Sequence, residues 1–231
     1  MKSNYTHISI LLDTSGSTES IKNDIIGGYN SFIEKQKQES GELTVTQALF
    51  DDRYEIIYNK KNIQEIEPLT DKTFIPRGWT ALLRAAVRLI DDTGKVLAAL
   101  PEEERPEKVL FLIITDGLEN WSNSCKFADE PTHLSNLVYT KQLLAEKIKH
   151  QEEVYKWEFV YLGANQDAFS EGGSMGVSKS FNYTATADGV DKSFKAFTKS
   201  FTKYRSNVGG ACASGFEMSQ EDIDNEETDK K

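Results

Sequence analysis

Asp13, Ser15, Ser17, Thr80 and Asp116 are the residues of this sequence whose types and spacing suit chemistry. In Asp13-Thr14-Ser15-Gly16-Ser17, one carboxylate and two hydroxyls recur at every second position. A tight turn can therefore aim all three at one point, with Gly16 relieving the backbone. Oxygen donors of this kind suit a hard cation such as Mg²⁺. Asp and Ser are also common turn formers and helix N-caps, so the pentapeptide alone is equally well explained as a turn. The choice depends on whether other strand ends bring matching oxygens. Thr80 follows Arg77-Gly78-Trp79 directly ahead of a helical pattern, and Asp116, followed by Gly117, closes a second apolar run.

The elements that must position these residues can be read from periodicity. Ile8–Leu12 and Val109–Ile114 are nearly unbroken apolar runs, as expected for strands buried on both faces of a parallel sheet. In open α/β sheets, ligands bind outside the carboxyl ends of such strands. Leu43–Phe50 and Tyr54–Tyr58, separated only by Asp51-Asp52-Arg53, predict an antiparallel hairpin whose aspartates serve the turn. Apolar spacing predicts helices over residues 19–37, from Thr80 to about Leu100, from Thr132 to His150 and from Ala187 to Tyr204. Gly27-Gly28 inside the first implies either a close approach or a kink, and Gly94 leaves open whether the second is one helix or two. Residues 59–76 predict a surface connection. Trp157–Gly163 and Ser180–Tyr183 predict two further strands, with Asn165, Gln166 and Asp167 capping a short helix between them.

The loop after Asp116 is longer than a connection requires, which favours recognition. Trp79, Trp121 and Phe127 either rim the cation or pack the loop onto the domain, and Glu119 is close enough in sequence to shield the open position. The helix beginning after Thr80 presents the positive end of its dipole to an incoming carboxylate.

The pattern D-x-S-x-S, then a distant Thr80, then a distant Asp116, resembles the metal-ion-dependent adhesion site (MIDAS) of von Willebrand factor type A (vWA) domains, over roughly residues 4 to 205. The resemblance implies an α/β fold: a doubly wound, mostly parallel, Rossmann-like sheet with one antiparallel edge strand and helices on both faces. It places Ser15, Ser17 and Thr80 in the inner shell of a divalent cation, with Asp13 and Asp116 nearby and often acting through water. Mg²⁺ is the expected ion, with Mn²⁺ or Ca²⁺ as substitutes. The resemblance further implies a protein partner whose Asp or Glu completes the coordination.

The chain of 231 residues suits one domain, residues 1–206, and a tail, residues 207–231. The tail is expected to be disordered, because residues 217–231 hold seven acidic groups and two lysines. A formal net charge of −10 argues against nucleic acid as the ligand. No apolar run approaches the roughly 20 residues that span a bilayer, and the N-terminus lacks a secretory apolar region, so membrane insertion is not expected and the expected location is cytoplasmic. Cys125 and Cys212 make no CxxC or Cys/His pairing and read as ordinary thiols. Lys192, Lys195, Lys199 and Lys203 read as the solvated face of the last helix.

Two functions compete. The first is a non-enzymatic module that captures an acidic residue of a partner through the bound cation. The second is a metal-assisted hydrolase or phosphotransferase using the same cluster. That chemistry needs a general base or a second metal. His7, His133 and His150 fall at a strand start and at the two ends of a helix, away from the loops, and the first reading is favoured.

Overall fold

In the computed structural model, residues 1–164, 167–207 and 215–227 are described. They form, in chain order, β1 (Lys2–Asp13), α1 (Lys22–Gln38), β2 (Glu42–Phe50), β3 (Tyr54–Asn62), α2 (Leu82–Ala98), β4 (Pro106–Thr115), α3 (Thr132–Ser135), α4 (Lys141–Tyr155), β5 (Glu158–Ala164), α5 (Ala168–Ser174), β6 (Lys179–Tyr183), α6 (Ala187–Ser206) and α7 (Gln220–Asp224). Asn165 and Gln166, expected as caps, and Cys212 lie outside the described residues; Asp167 does cap α5, accepting the Ser170 N–H at 3.0 Å.

The strands make one sheet in the order β3-β2-β1-β4-β5-β6. Every neighbouring pair is parallel except the β2–β3 hairpin, which supplies the antiparallel edge. Strand alternation sorts the side chains onto two faces. On β4, Leu110, Leu112 and Ile114 join one core with Ile8, Ile10 and Leu12 of β1, beneath α1 and α6. Val109, Phe111 and Ile113 point the other way, into a core closed by α2 and α4. This explains why the two central runs carry no polar alternation. On β1 the second face is partly polar: His7 Nδ1 meets Thr44 Oγ1 at 2.9 Å, and Ser9 Oγ bridges His7 Nε2 at 3.3 Å and Thr93 Oγ1 of α2 at 2.9 Å. His7 is fully buried, and burial pushes its pKa down to about 3, with Lys60 adding to the effect.

The aromatic stripe of α6 packs on α1, with the Phe32 ring 5.4 Å from Phe197 and 5.6 Å from Phe201. Gly28 lies against α6 with no room for a side chain, since a Cβ there would stand 2.3 Å from Phe194 Cδ2. Gly28 thus serves a helix–helix approach while a Cβ on Gly27 would meet nothing within 4 Å, and α1 runs through both unbroken, as α2 runs through Gly94.

Three expectations are corrected. Residues 59–76 are more than a surface connection, because β3 extends to Asn62 and Ile63, Ile66, Leu69 and Phe74 are buried in the core beneath α1. The helix expected from Thr132 breaks at Asn136, leaving α3 and α4 and exposing Val138. The tail is not disordered across residues 215–227. Phe216 and Ile223 are 2 % and 3 % exposed, and Phe216 packs on Phe197 and Tyr204 of α6. Its acidic groups meet the lysine face of α6, Lys199 with Glu226 at 2.6 Å and Lys203 with Glu217 at 3.0 Å. Exposed pairs of this kind add little stability, so the two buried apolar side chains do the anchoring. The side-chain amide of Gln220 also engages edge strand β6, accepting the Asn182 N–H and donating to the Asn182 carbonyl, each at 2.8 Å.

Candidate metal centre

The five residues singled out from sequence converge at the carboxyl ends of β1 and β4. Asp13 is the last residue of β1, opposite Phe50 of β2, and is 1 % exposed. Ser15 and Ser17 follow in a turn that enters α1, their Oγ atoms 3.1 Å apart. Asp116 follows β4, and its Oδ1 accepts the Ser17 hydroxyl at 2.6 Å. Thr80 precedes α2 and is buried. A Cβ built on Gly117 would lie 3.1 Å from Thr80 Oγ1, 3.4 Å from Ser17 Oγ and 3.9 Å from Ser15 Oγ. Three hydroxyl oxygens thus surround one small space, which the missing side chain of Gly117 keeps clear.

Both carboxylates are anchored. Asp13 Oδ1 accepts the Ser15 N–H at 2.7 Å and Oδ2 accepts the Thr115 hydroxyl at 2.5 Å. Burial nevertheless pushes the Asp13 carboxyl up to about 7, against those hydrogen bonds and with repulsion from Asp116 added. Asp116 is also raised, chiefly by burial, with the Ser17 hydrogen bond opposing. Two acidic groups held close together and deprived of water, beside three neutral hydroxyls, form a donor set that fits a hard divalent cation. Among the described residues no cluster of three or more His, Cys, Asp or Glu could hold a metal. Any cation held here would depend on hydroxyl donors.

Backbone bonds stitch the three loops together. Thr14 N–H donates to the Phe50 carbonyl at 2.7 Å, Arg77 N–H to the Thr14 carbonyl at 2.8 Å and Gly16 N–H to the Gly78 carbonyl at 3.3 Å. Gly78 has φ +64° and a Cβ there would stand 2.6 Å from Asp52 Oδ1, so glycine is required. Asp51 accepts the Arg53 N–H and the Arg77 Nε, each at 2.6 Å, and its carbonyl accepts the Ala81 N–H at 3.1 Å. The hairpin aspartate is therefore the clamp that seats the Thr80 loop.

Glu119 does not shield the centre. Its Oε1 accepts the N–H groups of Trp121 and Ser122, and its Oε2 accepts the Leu83 N–H at 2.9 Å and the Ser122 hydroxyl at 2.6 Å. The anion at the start of α2 is thus the chain's own, and the expectation that this terminus greets a partner's carboxylate is revised. The aromatic residues divide. Phe127 is buried and stacks on Tyr54 at 5.5 Å, whereas Trp79 is 53 % exposed and stacks on Trp121 at 5.0 Å.

Sequence reasoning missed Arg84. Its guanidinium, 3 % exposed, pairs with Glu130 at 2.5 Å, donates to the Ser122 carbonyl at 2.8 Å and lies 4.2 Å from the Tyr139 ring. It fastens the long loop to α2. The available signal was one arginine among Leu82, Leu83, Ala85 and Ala86. Cys125 is a free, half-buried thiol pushed up to about 11 by burial, which disfavours the thiolate at neutral pH. None of the histidines is at the centre: His7 is in the core, His133 reaches Asp91 at 3.2 Å and His150 packs edge-on against Tyr155.

No protein-family model and no curated protein matches the sequence. Solved structures do match. The vWF domain of the type V pilus tip protein Mfa5 from Porphyromonas gingivalis aligns with a TM-score of 0.56 at 10 % identity, over 86 % of this chain and 97 % of that one. The pilus adhesin SpaC from Lactobacillus rhamnosus GG aligns at 0.58 and 15 % identity, over 88 % of this chain and 30 % of that one. Proximal thread matrix protein 1 from the mussel byssus, in a form with a zinc-occupied MIDAS motif, aligns at 0.55 and 14 % identity, over 87 % of this chain and 46 % of that one. The chain spans less than half of the byssus protein and less than a third of SpaC. Among the described residues no helix is long and apolar enough to cross a membrane. The sheet order, the single antiparallel edge and these alignments together show that the chain has the fold of a vWA domain.

Proposed function

We propose that the chain is a metal-dependent protein-binding module. Ser15, Ser17 and Thr80 would hold a divalent cation, Mg²⁺ or, in its place, Mn²⁺ or Ca²⁺, with Asp13 and Asp116 behind them. The observation that carries this reading is the space beside Gly117, ringed by three hydroxyls and backed by two crowded carboxylates. The zinc-occupied MIDAS of the byssus protein supports it by likeness. A bound cation supplies a Lewis acid. Two carboxylates balance its charge and neutral hydroxyls leave it able to accept one more anionic ligand, the Asp or Glu of a partner protein. Residues 1–206 would form the module and residues 215–227 would strap it. The exposed Trp79 and Leu118 flank Thr80 and Asp116 in sequence and give the partner an apolar border.

The test is a thermal melt of metal-stripped protein with each cation added, beside Thr80→Ala. Metal at about tenfold above its dissociation constant adds about 1.4 kcal/mol, a shift of roughly 3 to 6 °C for a chain of this size. The expected outcome is a shift in the parent that Thr80→Ala loses. An equal shift in both proteins would place the cation elsewhere and end the proposal.

A further inference from the structure

A half-open cavity of about 500 Å³ lies at the other end of the sheet from Asp13, between the C-terminal half of α2, the start of β4 and the last turns of α4. That volume is in the range of small-molecule sites. Its floor is apolar, made by Ile90, Leu97, Val109 and Trp157, none more than 6 % exposed.

The polar groups around it are unevenly satisfied. Asp91 is held by Lys95 at 2.5 Å, and Glu107 accepts the Asn4 N–H at 3.0 Å. Arg105 donates to the carbonyls of Leu100 and Ala98, each at 3.0 Å, which fixes the guanidinium without giving it a counter-charge. Lys147 has no hydrogen bond or ion pair among the described residues. The side-chain oxygen of Gln151 is buried and accepts no hydrogen bond. In a chain of net charge −10, Arg105 and Lys147 outnumber Glu107, which likewise meets only a neutral group, so the rim beside the apolar floor carries a local excess of positive charge.

We propose that this cavity binds a small amphipathic anion. Its apolar body lies on Leu97 and Trp157, and its acidic group faces Lys147 and Arg105. The site is separate from the proposed metal centre and stands whether or not a cation binds there.

The probe is 8-anilinonaphthalene-1-sulfonate, which joins a sulfonate to two aromatic ring systems. Fluorescence titration of the full chain should give saturable binding of one equivalent. Gly94 lines the cavity and a Cβ there meets nothing within 4 Å, so Gly94→Phe fills the space while replacing a residue poorly suited to a helix interior. That variant should lose the binding yet keep the parent's melting response to metal. Lys147→Glu, and the uncharged probe N-phenyl-1-naphthylamine on the parent, should each bind at least roughly tenfold more weakly. Undiminished binding to Gly94→Phe, or no saturation in the parent up to about 1 mM, would overturn the site. Equal affinity for the uncharged probe, or for Lys147→Glu, would overturn its anionic class.

Discussion

Replacing Asp13 by Asn should abolish metal binding and, unusually for a buried polar site, make the metal-stripped protein more stable at alkaline pH. The Asp13 carboxyl is 1 % exposed and raised from an ordinary 3.8 to about 7, chiefly by burial. Between about pH 4 and 7 the folded chain keeps this proton while the unfolded chain has lost it. The stability of the stripped protein therefore falls as pH rises through that window and levels off above it. A rise of about three pH units at about 1.4 kcal/mol each puts the cost of the buried anion at about 4 kcal/mol. Asparagine removes the charge and keeps the contacts. Its oxygen still accepts the Ser15 N–H, and its amide donates to Thr115 Oγ1, whose own proton turns to the Gly117 carbonyl at 3.0 Å. At about 2 to 4 °C per kcal/mol, calorimetry in chelator at pH 8 should show the variant melting higher by about 8 to 16 °C. At pH 5 the gap should shrink to under half, closing only below about pH 4, and added Mg²⁺ should move the parent only. A variant that melts below the parent at pH 8, or a gap that ignores pH, would refute the reasoning.

His7 provides an acid-side counterpart. With its pKa pushed down to about 3 by burial, the folded chain refuses a proton that the unfolded chain takes at about 6.5. Stability is thus full above pH 6.5 and falls towards pH 3 by up to about 1.4 kcal/mol per pH unit, a slope that His7→Gln should flatten in urea titrations. Arg84→Met strands Glu130 in the interior and should lower stability by about 3 to 5 kcal/mol. In denaturant melts, the double variant Arg84→Met, Glu130→Gln should recover part of that loss. Phe216→Ala removes a side chain packed between Phe197 and Tyr204 and should cost about 3 to 5 kcal/mol. If residues 215–227 did not dock, the melting curve would not move.

The sheet and the convergence of Asp13, Ser15, Ser17 and Asp116 were legible because both follow from strand physics, whereas Thr80, which follows no strand, was singled out only by the resemblance to the motif. Ile8–Leu12 and Val109–Ile114 can only be buried on two faces, and whatever follows such a strand emerges at the ligand end of the sheet. The turn of helix lost at Asn136 was hidden because Val138 continues the apolar spacing while lying in solvent. The Arg84–Glu130 pair joins residues 46 apart, and no local pattern distinguishes a buried arginine from a surface one. Glu119 looked like a stray carboxylate near the centre because only the folded loop reveals its four donors. The tail was misjudged on composition: its acidic groups dominate the average, while Phe216 and Ile223 decide where it goes.

The Gln220 amide on Asn182 has a consequence for how this molecule tolerates company. Strand β6 ends the sheet, and its outer backbone groups are a template onto which another chain could add a strand. Gln220 occupies that template as a single-residue stand-in for a seventh strand, offering one acceptor and one donor where a neighbour's peptide group would offer the same. A chain cut at residue 206, where helical periodicity ends, would keep the loops that carry Asp13, Thr80 and Asp116 and lose this plug. Such a fragment trades a capped sheet for a sticky one and should self-associate through β6.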